Sequence, residues 1–75
     1  MANVDLDCRE LSCPMPIVKI SRAIKTLAVN DTLTVLASDP SFAPDIEAWV
    51  RRTGQRLQSL ESKDATQTAV IVKVN

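Results

Sequence analysis

Polar and apolar side chains alternate near the start of the chain: in Asn-Val-Asp-Leu-Asp-Cys, Val4, Leu6 and Cys8 fall on one side, Asn3, Asp5 and Asp7 on the other. A period of two predicts a short, half-buried strand over 3–8. Residues 9–13 keep no period and read as a connecting loop. From Pro14 the spacing changes. Ile17, Ile20, Ala23, Ile24 and Leu27 recur at three and four residues, the interval that lines one helix face and leaves Lys19, Arg22 and Lys25 outside. Asn30-Asp31 is a turn signal.

Leu33, Val35 and Ala37 restore the alternation and predict a second strand over 32–38. Asp39-Pro40-Ser41 then opens a second helix, with Ser41 or Asp39 as N-cap and Asp45 in the first turns, where negative charge is favoured. Phe42, Ile46, Trp49, Val50 and Thr53 form its apolar stripe. Gly54 ends it, because glycine takes the left-handed cap conformation without strain. A weak strand over 55–62, a turn over 63–67 and a strong strand over 68–74 complete a hairpin. The order β-α-β-α-β-β predicts an α/β (α+β) two-layer sandwich. Its mixed four-stranded sheet has two helices on one face, right-handed parallel crossovers and the hairpin at the end.

With 75 residues the chain is expected to be one domain, 1–75. That is close to the lower limit for folding alone, where only about 60% of the unfolded surface becomes buried. Two cysteines and no histidine leave a zinc site only carboxylates to complete it, an uncommon set. No metal is expected, and packing must do most of the stabilising. A net charge of zero argues against a general nucleic-acid binder. The charges are nevertheless uneven: residues 11–30 hold Lys19, Arg22 and Lys25 and no acid, and Arg51, Arg52 and Arg56 form a second group. Such groups are either ordinary solvated helix faces or a docking surface for acidic partners. No stretch approaches the roughly 20 apolar residues of a membrane span, and the start, MANVDLD, lacks a secretory pattern. The expected compartment is the cytoplasm, where thiols stay reduced.

The chemistry concentrates on Cys13, which stands directly before Pro14-Met15-Pro16. With Pro14 as first helical residue, Cys13 becomes the N-cap, and both prolines fall where a missing N–H is harmless. The Met15 N–H is then the early donor that can reach the sulfur. A helix N-terminus stabilises an anion by about 0.3–1 kcal/mol, up to ~2 in good geometry. At ~1.36 kcal/mol per pKa unit, this brings a thiol from ~8.5 toward neutrality, with Arg9 adding a little. Lack of histidine excludes a Cys-His dyad, and lack of C-x-x-C argues against a thioredoxin-type dithiol. What remains is thiol chemistry without a strong base, such as carrying sulfur as a persulfide. On spacing alone a second reading stays open, in which Cys13 is a small residue wedged at a helix start. Cys8 continues the Val4–Leu6 face and reads as a buried core thiol. Both cysteines are expected to be free thiols.

The segment Leu6-Asp7-Cys8-Arg9-Glu10-Leu11-Ser12-Cys13-Pro14-Met15-Pro16 resembles the C-P-x-P signature of the TusA-like (SirA-like) sulfur-carrier family. The similarity continues through Leu33-Thr34-Val35, Asp39, Asp45-Ile46, Trp49 and Gly54 to Ile71-Val72-Lys73. The resemblance implies a two-layer sandwich in the order already derived. It also implies that the motif cysteine, Cys13, carries a persulfide, with no other cofactor. The donor would be a cysteine desulfurase or rhodanese-type protein, and the acceptor a sulfur-relay protein serving tRNA thiolation, sulfur oxidation or cofactor assembly. Pro14, Met15, Pro16 and Arg9 would support the motif and helix cap, and Lys19, Arg22 and Lys25 would serve partner docking. One departure stands out: the family's usual glycine is Glu10 here.

Two other functions compete with a sulfurtransferase relay. A non-catalytic regulatory or interaction domain would use the open sheet face and basic helices and would dispense with Cys13. RNA binding is suggested by the resemblance of the fold to a translation-factor domain, but zero net charge and a 3% aromatic content count against it.

Overall fold

The two periodicities resolve into six elements in the predicted order: β1 (Asn3–Cys8), α1 (Met15–Ile24), β2 (Thr32–Ala37), α2 (Phe42–Thr53), β3 (Arg56–Lys63) and β4 (Thr66–Val72). The computed structural model describes residues 2–12 and 14–75; Met1 and Cys13 lie outside the described residues. The four strands form one mixed sheet in the order β1-β2-β4-β3. β1 runs parallel to β2, with Val4 opposite Leu33 and Cys8 opposite Ala37. β4 is antiparallel to both β2 and β3. The hairpin therefore folds back so that β4 fills the slot between β2 and β3, which run parallel to each other.

Both helices cover the same face. Cys8, Leu33, Val35, Ala37, Ala69 and Ile71 from the strands share one core with Ile20, Ile24, Phe42, Ile46, Trp49 and Val50 from the helices. Each fully buried aliphatic side chain contributes roughly 1.5–3 kcal/mol against exposure, so this cluster holds the layers together. Trp49, nearly sealed, satisfies its indole by donating from Nε1 to Ser21 Oγ at 3.0 Å, which ties α2 to α1. On the opposite face, no helix covers the rows Asp7–Leu36–Thr68–Glu61 and Asp5–Thr34–Val70–Ser59.

Element ends differ from the sequence expectation in instructive ways. α1 stops at Ile24, where tighter bonds from Thr26 N–H to Ala23 O and Leu27 N–H to Ile24 O close the last turn. Leu27 still reaches the core, beyond the helix itself. At α2, Ser41 occupies the N-cap position without a side-chain cap bond. Instead Asp39 Oδ1 accepts the Ser41 N–H and Oγ–H, both at 2.9 Å. Gly54 ends α2 at φ 78°, as expected. The predicted five-residue turn over 63–67 contracts to Asp64 and Ala65, with φ 51° and 65°, the two left-handed residues of a type I′ hairpin. Lys63 and Thr66 then pair directly, and both strands begin or end nearer the turn than their alternation suggested. β4 ends at Val72 rather than 74. The Lys73 N–H instead bonds Asp31 O at 2.9 Å, and its ammonium donates to Leu27 O at 2.7 Å.

Candidate functional site

The parallel strands β1 and β2 end side by side, and the loop from β1 leads into α1 at that same end of the sheet. The loop begins with a tight turn: the Leu11 N–H donates to Cys8 O at 3.3 Å, enclosing Arg9 and Glu10. Glu10 has φ 70°. A positive φ at the third residue of such a turn is the type II pattern, which favours glycine. This is the physical reason a glycine suits this position and a glutamate strains it. The Glu10 N–H donates to Ser38 Oγ at 2.9 Å, fastening the turn to the residue just after β2.

Arg9 and Asp7 form the best-defined charged contact of the loop. Asp7 Oδ1 accepts from Arg9 Nε at 2.9 Å and from the Arg9 backbone N–H at 3.0 Å, while Oδ2 accepts from a guanidinium NH2 at 2.8 Å. The Arg9 side-chain and backbone hydrogen bonds hold the Asp7 carboxyl down at about 2, with smaller help from the charges of Arg9 and Lys19. Arg9 was expected to add positive charge toward the thiol. Its guanidinium is engaged by Asp7, and the Cys13 thiol it would face lies outside the described residues. Lys19, exposed on the first turns of α1, sends its charge back to this end of the sheet, where it acts on Asp7 and Cys8. Arg22 and Lys25 follow at three-residue intervals on the exposed side of the chain, progressively farther from the loop. Among the described residues none of the three forms an ion pair.

The helix start corrects one expectation. Pro14, not Cys13, holds the N-cap position: α1 begins at Met15, and the Pro14 carbonyl accepts the Val18 N–H at 3.0 Å. Pro16 sits at the second helical position, buried, where its missing N–H again costs nothing. The Met15 N–H, expected to point at the sulfur, donates to Ser12 O at 2.8 Å. The cap-bond route to an activated thiol is therefore closed at this donor. Cys13 itself lies outside the described residues; the chain on both sides of it is fixed by the bonds at Glu10 and Met15.

Cys8 is where the alternation put it, fully buried at the end of β1. Burial pushes its thiol up, with Lys19 opposing and Asp7 adding a little. An open cleft of about 470 Å³, lined by Asp7, Arg9, Glu10 and Ser38, adjoins the loop. A smaller groove of about 250 Å³ lies on the other side of the helix start, lined by Pro14, Ile17, Asp45, Ala48 and Arg52. Sequence reasoning missed Asp7, Ser38 and Gln67. Gln67 is buried and donates from Nε2 to Asp39 O at 2.7 Å, bracing the α2 entrance beside the cleft. The Asp-x-Arg spacing at a strand end was the available signal for Asp7. Ser38 and Gln67 carry no local signal, because their partners are 28 residues away. Among the described residues no three His, Cys, Asp or Glu side chains gather as metal ligands. Among the described residues no helix is long and apolar enough to cross a membrane.

Comparison with known proteins agrees with this geometry. The fold resembles that of a SirA-like protein from Desulfitobacterium hafniense, with a TM-score of 0.80 over the full length of both chains at 20% identity. The sulfur carrier protein TusA of Allochromatium vinosum is 35% identical over 66 residues, covering 85% of this chain and 84% of that one. A Neisseria meningitidis protein named as a candidate sulfur carrier is 37% identical over 71 residues, with 95% and 96% covered. The similarly named YrkF of Bacillus subtilis is 37% identical over 62 residues; the match covers 83% of this chain but only 34% of that longer relative. The family described as sulfurtransferase TusA matches residues 4–73, and the chain belongs to that family.

Proposed function

We propose that this chain is a sulfur carrier that holds sulfane sulfur as a persulfide on Cys13 and passes it to an acceptor protein. The observation that carries the reading is the contrast between the two thiols. Cys8 is sealed in the core, while Cys13 lies between Ser12 and Pro14, both exposed, at the start of α1. The family membership supplies the class of chemistry.

In the loading step the Cys13 thiolate attacks the outer sulfur of a donor persulfide. A new S–S bond forms at Cys13, the donor's S–S bond breaks, and its electron pair leaves on the donor cysteine as thiolate. In the second step an acceptor thiolate attacks the outer sulfur on Cys13, which leaves as thiolate in turn. No net oxidation occurs, so no redox cofactor is needed. A desulfurase or rhodanese-type protein is the proposed donor, a relay protein the proposed acceptor, and the cytoplasm the proposed compartment. Lys19, Arg22 and Lys25, exposed and without ion pairs among the described residues, offer the proposed docking stripe for acidic surfaces on either. Base stacking on RNA has no support from side chains here, since Phe42 and Trp49 are 1% and 2% exposed and the chain has no other aromatic residue.

Incubation with a persulfide-bearing donor, read by intact mass and peptide mapping, tests this. One added sulfur atom is expected on Cys13, lost in Cys13→Ser and retained in Cys8→Ala. Loading that persists in Cys13→Ser would overturn the reading.

A further inference from the structure

Glu10 is the least comfortable residue of the loop. It has a left-handed backbone at the glycine-favouring position of a tight turn, and the Ser38 hydroxyl fixes it there. Its side chain is exposed, lines the cleft beside Asp7, Arg9 and Ser38, and forms no ion pair among the described residues. The neighbouring charges do not cancel it. Arg9 is matched by Asp7 in a two-point contact at 2.8 and 2.9 Å, which leaves the Glu10 carboxylate as the net charge of the turn. Lys19, on the α1 side, acts on Asp7 and Cys8.

Glu10 also stands three residues before Cys13. Even a fully extended chain spans no more than about 11 Å over three residues. That covalent limit is comparable with the screening length of about 8 Å in physiological salt.

Resting on the sulfur-carrier reading, we propose that Glu10 determines which sulfur donors can load Cys13. Its carboxylate, carried on a backbone held by the turn and by Ser38, repels small anionic donors, such as inorganic polysulfide or glutathione persulfide. It favours a persulfide presented among neutral or cationic groups, as on a protein whose donor cysteine is flanked by Lys or Arg. The bond exchange is unchanged; only the encounter and approach of the donor are sorted by charge.

Three disulfide probes of different charge test this on the full chain: dianionic dithiobis(nitrobenzoate), neutral dithiodipyridine and dicationic cystamine. In each reaction the Cys13 thiolate attacks one probe sulfur, a mixed disulfide forms, and the other half leaves as thiolate. Rate constants are compared, probe by probe, between wild type and Glu10→Gln, which removes the charge and keeps the backbone demand. With Glu10→Gln the dianionic probe should react about two- to fivefold faster and the dicationic probe slower, with little change for the neutral one. Added salt should erode the wild-type preference. The same order should appear with glutathione persulfide against cysteamine persulfide as sulfur donors, read by mass. Rates that move together for all three probes, or not at all, would overturn the inference while leaving the carrier reading intact. A Cys13 that reacts with none of them would remove both.

Discussion

The Glu10 N–H and the Ser38 hydroxyl oxygen, 2.9 Å apart and 28 positions distant in sequence, hold the loop after β1 against the end of β2. The bond lies at the surface, so its loss is softened by water. Ser38→Ala should cost toward the low end of about 0.5–1.5 kcal/mol in urea unfolding. Its sharper signature is local: the Glu10 amide should lose hydrogen-exchange protection while amides in β4 keep theirs. Unchanged protection at Glu10 would show that the turn holds itself without Ser38.

Strain at the same residue gives a prediction of opposite sign. A left-handed conformation costs an L-residue roughly 1–2 kcal/mol, and glycine gives back part of that relief through its freer unfolded chain. Glu10→Gly should therefore stabilise the protein by about 0.5–1 kcal/mol. A thermal or urea midpoint equal to or below wild type would mean that the Glu10 side chain has a stabilising contact that offsets its backbone.

Asp7 links the loop to acidity. Its folded-state pKa is depressed from the ordinary 3.8 to about 2. A depressed carboxyl stabilises the fold while ionised, so its contribution is fully present above about pH 4 and is lost as pH falls toward 2. Asp31, lowered chiefly by accepting backbone N–H bonds from Ala2 and Ala28, acts in the same direction. Asp7→Asn should thus flatten, without abolishing, the decline of stability across that window. Stability against pH for the two proteins checks it, together with the carboxyl carbon shift of Asp7; a midpoint near 3.8 would contradict the pairing with Arg9.

Much of this architecture was legible because burial is periodic. Cys8, Leu33, Val35, Ala37 and Ile71 declare their faces at period two, and Ile20, Ile24, Ile46 and Trp49 theirs at helical spacing. What escaped were features set by backbone conformation rather than by side-chain polarity. The hairpin turn uses Asp64 and Ala65, and nothing in Lys-Asp-Ala-Thr announces two left-handed residues as Asn-Gly would. The register shift between Leu57 and Ser59 lies in the strand whose alternation was weakest. At the motif, prolines at 14 and 16 marked the helix start to within one residue. That residue decided which group caps it, because the Ser12 carbonyl takes the Met15 N–H in place of a sulfur. The glutamate at the turn was visible as a departure, yet the demand it violates appeared only with its φ.

The two outermost strands also bear on how copies of this chain meet in concentrated solution. With a formal net charge of zero, molecules near neutral pH gain little mutual repulsion from their overall charge, and an open β-strand margin invites a neighbour to add on. β1 displays Asp5 and Asp7 along one margin, and β3 displays Arg56, Glu61 and Lys63 along the other. Antiparallel addition of β1 to β1 centred on Asp5 would set the two Asp5 carboxylates opposite one another, and like charges facing across a strand pair are unfavourable. Local charge thus guards β1 where net charge cannot, so colloidal stability at neutral pH depends on the rim carboxylates staying ionised.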